Sequence, residues 1–144
     1  MSLQNSESKM SKSDDNENGY ILLLDSPDII NRKIKRAVTD SLGLVKYSDE
    51  QPEVKNLINI YSAFSGNSIE EIESKYEGAG YGQFKKDLAE VVIEGLRPLQ
   101  EKYDEYMKNK DYLEEVYRGG AEKAERVARK TLRKVYKKVG FIPR

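Results

Sequence analysis

Apolar residues recur at intervals of three and four through most of positions 29–139. That period lines up one face of a 3.6-residue helix, whereas on a strand it would scatter the same side chains over both faces. The expected fold is therefore all-α, a small helical bundle, with an N-terminal loop and one short strand. Punctuation agrees. Ser26-Pro27-Asp28 reads as a cap, a first-turn proline and an early acid. Ile29, Ile30, Ile34, Ala37 and Val38 then form one face, with Arg32, Lys33, Lys35 and Arg36 around the rest. A second helix starts at Pro52, buries Val54, Leu57, Ile58, Tyr61 and Phe64, and stops at Gly66. Ser68 and Glu71 have capping-box spacing, and the helix they open ends near Gly78.

After the turn Gly78–Gly82, a long stripe runs from Phe84 to Met107, and Pro98 is expected to kink this helix without ending it. A further helix opens at Asp111 and is expected to break at Gly119-Gly120. The last helix then spans Ala121–Val139 with Gly140 as its stop. Upstream, Met1–Gly19 is rich in Ser, Asn, Asp and Lys and reads as a mobile loop with few internal contacts. Tyr20–Leu24 is a short apolar run. It fits a buried strand or a turn of buried helix, its length favouring the strand.

Composition removes several chemistries. The 144 residues include no cysteine and no histidine, so disulfides, a thiol nucleophile and zinc sites of the usual kind are not expected. Carboxylates remain for Mg²⁺, although none forms a pattern more specific than a solvated helix face. No run approaches the ~20 apolar residues of a membrane span, and the N-terminus lacks the apolar core of a secretory signal. A cytoplasmic protein is the expectation. The net charge is zero but strongly segregated: residues 31–48 hold five basic groups against one acidic, and residues 119–144 hold nine against two. A polyanion responds to such local fields and not to their sum.

Lys9-Met10-Ser11-Lys12-Ser13 carries the most specific signal. It resembles the KMSKS loop of class I aminoacyl-tRNA synthetases. The wider context is similar to bacterial-type tryptophanyl-tRNA synthetases: Asp14-Asp15-Asn16, Leu22–Pro27, Ile34–Ser41, Tyr81–Lys85 and Gly120–Ala124, which together reach over nearly the whole chain. The resemblance implies a parent enzyme that activates tryptophan with ATP and Mg²⁺, charges tRNA-Trp and works as a cytoplasmic homodimer. Lys9 and Lys12 are the implied catalytic groups, placed to stabilise charge on departing pyrophosphate. Lys9, Met10, Ser11, Lys12 and Ser13 are the implied ATP-binding set, with Met10 better suited to anchoring the loop in an apolar pocket. No metal ligand is assigned.

Such enzymes carry a partner motif, His-Ile-Gly-His or a close variant, on an earlier nucleotide-binding domain. This sequence has no histidine and no room for that motif before residue 9. The expectation is a C-terminal portion, inactive alone, with residues 1–25 left from the catalytic domain and 26–144 forming a helical, anticodon-binding type of domain.

Lys123, Arg126, Lys130, Arg133 and Lys137 fall three or four apart and form one basic stripe suited to tRNA phosphates. Ala121, Ala124, Val127, Ala128, Leu132, Val135 and Val139 are expected on the opposite, buried face. Tyr112, Tyr117 and Tyr136 are candidate stacking platforms. The plainer reading is a solvated basic face near a helix C-terminus, where the macrodipole favours cations. For Arg32, Lys33, Lys35 and Arg36 two readings also stand, tRNA contact or pairing with Glu70, Glu71 and Glu73, the structural one being preferred. Asp40 is expected to cap or brace the connection after the first helix. The rival for the whole chain is a non-enzymatic helical protein–protein interaction module whose linker mimics the motif.

Overall fold

Ser26 opens α1 (Pro27–Lys35): its hydroxyl accepts the Ile29 N–H at 3.4 Å, and Pro27 sits where a missing N–H costs nothing. The structure, a computed structural model, describes residues 1–142. Every regular element among them is helical. α2 (Pro52–Ser65) ends on Gly66, whose φ of 76° is a left-handed stop that glycine adopts without strain. α3 (Ile69–Lys75) begins with the capping box read from sequence: Ser68 Oγ accepts the Glu71 N–H at 3.2 Å and Glu71 Oε2 accepts the Ser68 N–H at 2.8 Å. α4 (Tyr81–Lys108) is continuous through Pro98, and α5 spans Lys110–Val139.

The described chain forms two units, the first being Met1–Gln100. Its core joins Ile30 and Ile34 of α1, Leu57 and Ile58 of α2, Ile72 of α3, and Phe84, Leu88 and Val92 of α4, all at most 1% exposed. Full burial of one such side chain is worth about 1.5–3 kcal/mol. Phe84 stacks with Tyr61 (centroids 6.1 Å apart) and meets Tyr76 edge-on at 5.1 Å. The two phenols in this core are satisfied: Tyr76 donates to Asp87 Oδ2 at 2.7 Å, and Lys75 Nζ donates to the Tyr61 oxygen at 2.8 Å.

The second unit begins at Glu101 and contains the end of α4 and all of α5. Asn109 caps α5 by accepting the Tyr112 N–H at 3.3 Å, and Tyr106 stacks with Tyr112 at 5.9 Å. Gly140, with φ 77°, ends the helix.

Five sequence expectations need correction. Tyr20–Leu24 is neither strand nor buried helix: Leu23 and Leu24 form a turn, and Leu22, Leu23 and Leu24 are 44–58% exposed. The Asp25 carboxylate accepts the Leu22 N–H at 3.0 Å, a local bond that competes with any ladder, and the described residues contain no strand to pair with. Phe64 is 41% exposed, its ring lying on Gly95 of α4, where a Cβ would come within 2.4 Å of it.

Gly119 and Gly120 do not break α5, which runs unbroken for 30 residues. Each glycine weakens a helix by ~1 kcal/mol without ending it, and neither adopts the left-handed φ that Gly140 does. No residue of α5 is buried, so the face from Ala121 to Val139 is solvent-exposed, with Val127 at 70% and Leu132 and Val135 at 46%. Amphipathic spacing marks the face a helix is able to bury, but burial itself needs a partner surface. Finally, Met1–Gly19 is not a loop with few contacts. Ser2, Leu3 and Gly19 are buried.

Candidate functional site

The loop carrying Lys9–Ser13 is held at its base by backbone and amide bonds that polar residues supply. Leu3 donates its N–H to Gly19 O at 2.9 Å and accepts the Val38 N–H at 2.9 Å, while Ser2 N–H reaches Ser8 O at 2.7 Å. Asn56 of α2, itself buried, donates to the carbonyls of Met1 and Ser2 at 3.2 and 3.1 Å. Gly19 is required here by close approach, since a Cβ would stand 2.9 Å from Ser2 Oγ. The returning arm continues through a 3₁₀ turn, Glu17–Gly19, capped by Asn16.

Above this clasp the motif splits by chemistry. Met10 is partly buried and packs against the core of the first unit. Lys9, Ser11, Lys12 and Ser13 are exposed. Ser11 and Ser13 pair their hydroxyl oxygens at 3.0 Å, Ser11 O accepts the Asp14 N–H at 3.1 Å, and Asp14 Oδ1 accepts the Asn16 N–H at 2.9 Å. Neither Lys9 nor Lys12 has an ion-pair partner among the described residues. Two flexible ammonium groups thus project from a turn whose ends are fixed, an arrangement able to meet an anion delivered from outside the chain.

Beneath the returning arm lies a buried ion pair. Lys33 Nζ meets Asp25 Oδ2 at 2.7 Å, both side chains below 10% exposed, with the ammonium 4.9 Å from the Tyr20 ring centroid. Gln100 Nε2 adds bonds to Leu23 O (2.9 Å) and Asp25 O (3.0 Å). Lys33 therefore has a structural role, as preferred for its cluster, but its acid is Asp25 and not Glu70, Glu71 or Glu73. Asp40 braces the connection after α1: it accepts from the Tyr81 hydroxyl at 2.6 Å, Gln51 Nε2 at 2.8 Å and the Leu42 N–H at 2.7 Å. Burial opposes its ionisation, yet those three donors together hold its pKa below the usual carboxylate value.

In the second unit Lys123, Arg126, Lys130, Arg133 and Lys137 are all exposed along α5. None of the five forms an ion pair among the described residues, whereas neighbouring Arg129 is tied to Glu125 at 2.7 Å and Arg118 lies 3.6 Å from Glu114. Of the expected stacking platforms, Tyr117 is 62% exposed, Tyr112 already stacks on Tyr106, and Tyr136 meets Phe141 edge-on.

The family profile described as tRNA synthetases class I (W and Y) matches residues 1–97. The chain belongs to this family. The tryptophan–tRNA ligase of Clostridium tetani is 55% identical over 142 residues, which are 99% of this chain and 42% of that protein. The tryptophan–tRNA ligase of Bacillus subtilis is 50% identical, over 98% of this chain and 43% of its own length. The crystal structure of tryptophanyl-tRNA synthetase from Mycoplasma pneumoniae superposes with a TM-score of 0.74 at 27% identity, covering 99% of this chain and 43% of that one. The chain thus spans less than half the length of these relatives. The family match takes in the Lys9–Ser13 loop and its clasp, while the α5 stripe lies beyond it.

Lys33 was read from sequence with its basic cluster and off the apolar face; that it follows Ile30 by three positions and precedes Ala37 by four was the available signal for its burial. Asn56 and Gln100 gave none, because their partners are backbone carbonyls of distant segments.

Proposed function

We propose that this chain supplies the KMSKS loop and the helical tRNA-binding portion of a tryptophan–tRNA ligase, residues 1–25 serving the first role and 26–144 the second. The observation that carries the reading is the exposed Lys9/Lys12 pair on a base-anchored loop, in a chain that matches such ligases over 99–100% of its length. In the complete enzyme the carboxylate of tryptophan attacks the α-phosphate of ATP and pyrophosphate leaves. Negative charge grows on the leaving group, so ammonium groups reaching it stabilise the transition state more than the ground state. Lys12 takes the pyrophosphate contact first and Lys9 second, the Ser11 and Ser13 hydroxyls donate to phosphate oxygens, and Met10 holds the turn to the core.

The described residues include no group of three or more acidic side chains arranged to hold a metal ion. Mg²⁺ enters this reading as the companion of ATP in the complete ligase. The tryptophan pocket is assigned to the part of the ligase that this chain does not match, so the chain alone is not expected to turn over. The basic stripe on α5 is the tRNA contact in this reading, and the homodimer belongs to the complete ligase. No helix among the described residues is long and apolar enough to cross a membrane.

The test is a chimera in which this chain replaces the matching 42% of the Clostridium tetani ligase. Tryptophan-dependent exchange of pyrophosphate into ATP is expected, and Lys12→Gln should lower its rate by roughly 10²–10³-fold with little change in the KM for tryptophan. An active chimera indifferent to Lys12→Gln would remove the catalytic role of the loop.

A further inference from the structure

A second basic surface stands in the first unit, independent of the α5 stripe. Asn31, Arg32 and Lys35 of α1 face Tyr81, Gly82, Lys85 and Lys86 of α4 across an open cleft of 580 Å³. Among the described residues, four cations line it and no carboxylate does. Arg32, Lys35 and Lys86 are exposed, and their side chains have no ion pair or hydrogen bond among the described residues. Lys85 is different: it reaches back to Ala37 O at 2.7 Å and Thr39 Oγ1 at 3.1 Å, and burial pushes its pKa down. A negative charge in the cleft offsets that cost. The first turn of α4 contains no acid to neutralise the positive end of its dipole. A Cβ at Gly82 would meet nothing within 4 Å, so the backbone there is open to close approach.

We propose that this cleft between α1 and the start of α4 is a docking site for the phosphodiester backbone of RNA. The character of the cations selects that partner. A site for one small anion needs convergent, buried donors, and here the three unpartnered cations are exposed and spread over two helices. Two ammonium groups on flexible stems and one guanidinium suit successive phosphates, each contact adding to affinity and releasing counterions without reading sequence. The Tyr81 hydroxyl is already committed to Asp40, so direct base recognition by that group is not part of the site. This inference rests on the reading of the chain as a tRNA-binding portion and adds a location that the α5 stripe does not supply.

The experiment measures binding of labelled tRNA-Trp to the chain over a series of salt concentrations. The cleft variant carries Arg32→Gln, Lys35→Gln and Lys86→Gln, with Lys85 left intact for its bonds to the chain. A control variant removes equal charge elsewhere (Lys46→Gln, Lys108→Gln, Lys110→Gln), and a charge-keeping variant carries Arg32→Lys, Lys35→Arg and Lys86→Arg. The expected result is at least a tenfold loss in the cleft variant, with the salt slope of log affinity shallower by about 2, since each lost phosphate contact removes roughly 0.7–0.9. The charge-keeping variant should bind as the parent does, which separates loss of charge from loss of fold. Cleft and control variants that weaken alike would overturn the proposal. A cleft variant that binds as the parent does, while changing Lys123, Arg126 and Lys130 causes the loss, would overturn it too and leave the tRNA-binding reading in place. No salt-sensitive binding by the parent chain would remove both.

Discussion

Lys33 occupies a position on α1 that apolar spacing reserves for the core, and it is accommodated only because Asp25 meets it there. Lys33→Met leaves a buried carboxylate without its counter-charge, a change that costs about 3–5 kcal/mol in comparable sites. Denaturant unfolding should show that loss, and the double replacement with Asp25→Ala should recover part of it. A loss below about 1 kcal/mol for the single change would mean that solvent reaches the pair.

Asp40 makes a pH-dependent contribution of known sign. Its pKa in the folded chain lies below the unfolded value, so the stability it contributes is full above the ordinary carboxylate range near pH 4. That contribution is lost as pH falls through the folded pKa. Asp40→Asn should therefore flatten the acid limb of a stability–pH curve and leave its shape at neutral pH unchanged. Tyr81, pushed up to about 12 by burial and by its bond to Asp40, should ionise well after an ordinary phenol in an absorbance titration. At this scale the sequence was readable where chemistry is local, as in the Ser68–Glu71 box. It was silent where a polar side chain is defined by a remote partner, as Asn56 is by the carbonyls of Met1 and Ser2.

Helices obey local rules at their ends and tertiary rules along their faces. α2 stops at Gly66 and α5 at Gly140 because a left-handed residue ends the hydrogen-bond ladder, and both stops were legible. Gly119 and Gly120 looked like a third stop but keep helical backbone angles inside α5, flanked by the Glu114–Arg118 and Glu125–Arg129 pairs. Alanine at both positions meets no neighbouring atom within 4 Å and should raise the helicity and stability of α5 by about 1 kcal/mol per site. Circular dichroism during thermal unfolding would read this, and a loss of helix would indicate a contact that needs the bare glycines. The Leu22–Leu24 turn and the exposed apolar face of α5 teach the complementary lesson. Hydrophobic spacing gives the type of element and the face it prefers to cover, whereas the occupant of that face is a property of the assembled molecule.

For the whole molecule, zero net charge conceals two basic regions. One is the stripe Lys123, Arg126, Lys130, Arg133 and Lys137 on α5, and the other is the Arg32/Lys35/Lys86 side of the first unit. The run 31–48 announced the second region from sequence, but not that Lys33 leaves it for the core while Lys85 and Lys86 join from α4. Long-range packing makes that exchange, and no spacing rule within one segment encodes it. The class I assignment was legible for the opposite reason, since the Lys9–Ser13 motif and its flanking strings are contiguous. The central claim, a tRNA-binding portion of a tryptophan–tRNA ligase, is tested most directly by titrating this chain with tRNA-Trp and with a non-cognate tRNA at low and moderate salt. Salt-sensitive binding to both is expected, with a preference for tRNA-Trp that survives moderate salt. Binding that is equal for the two and erased by salt, or no binding at all, would contradict it.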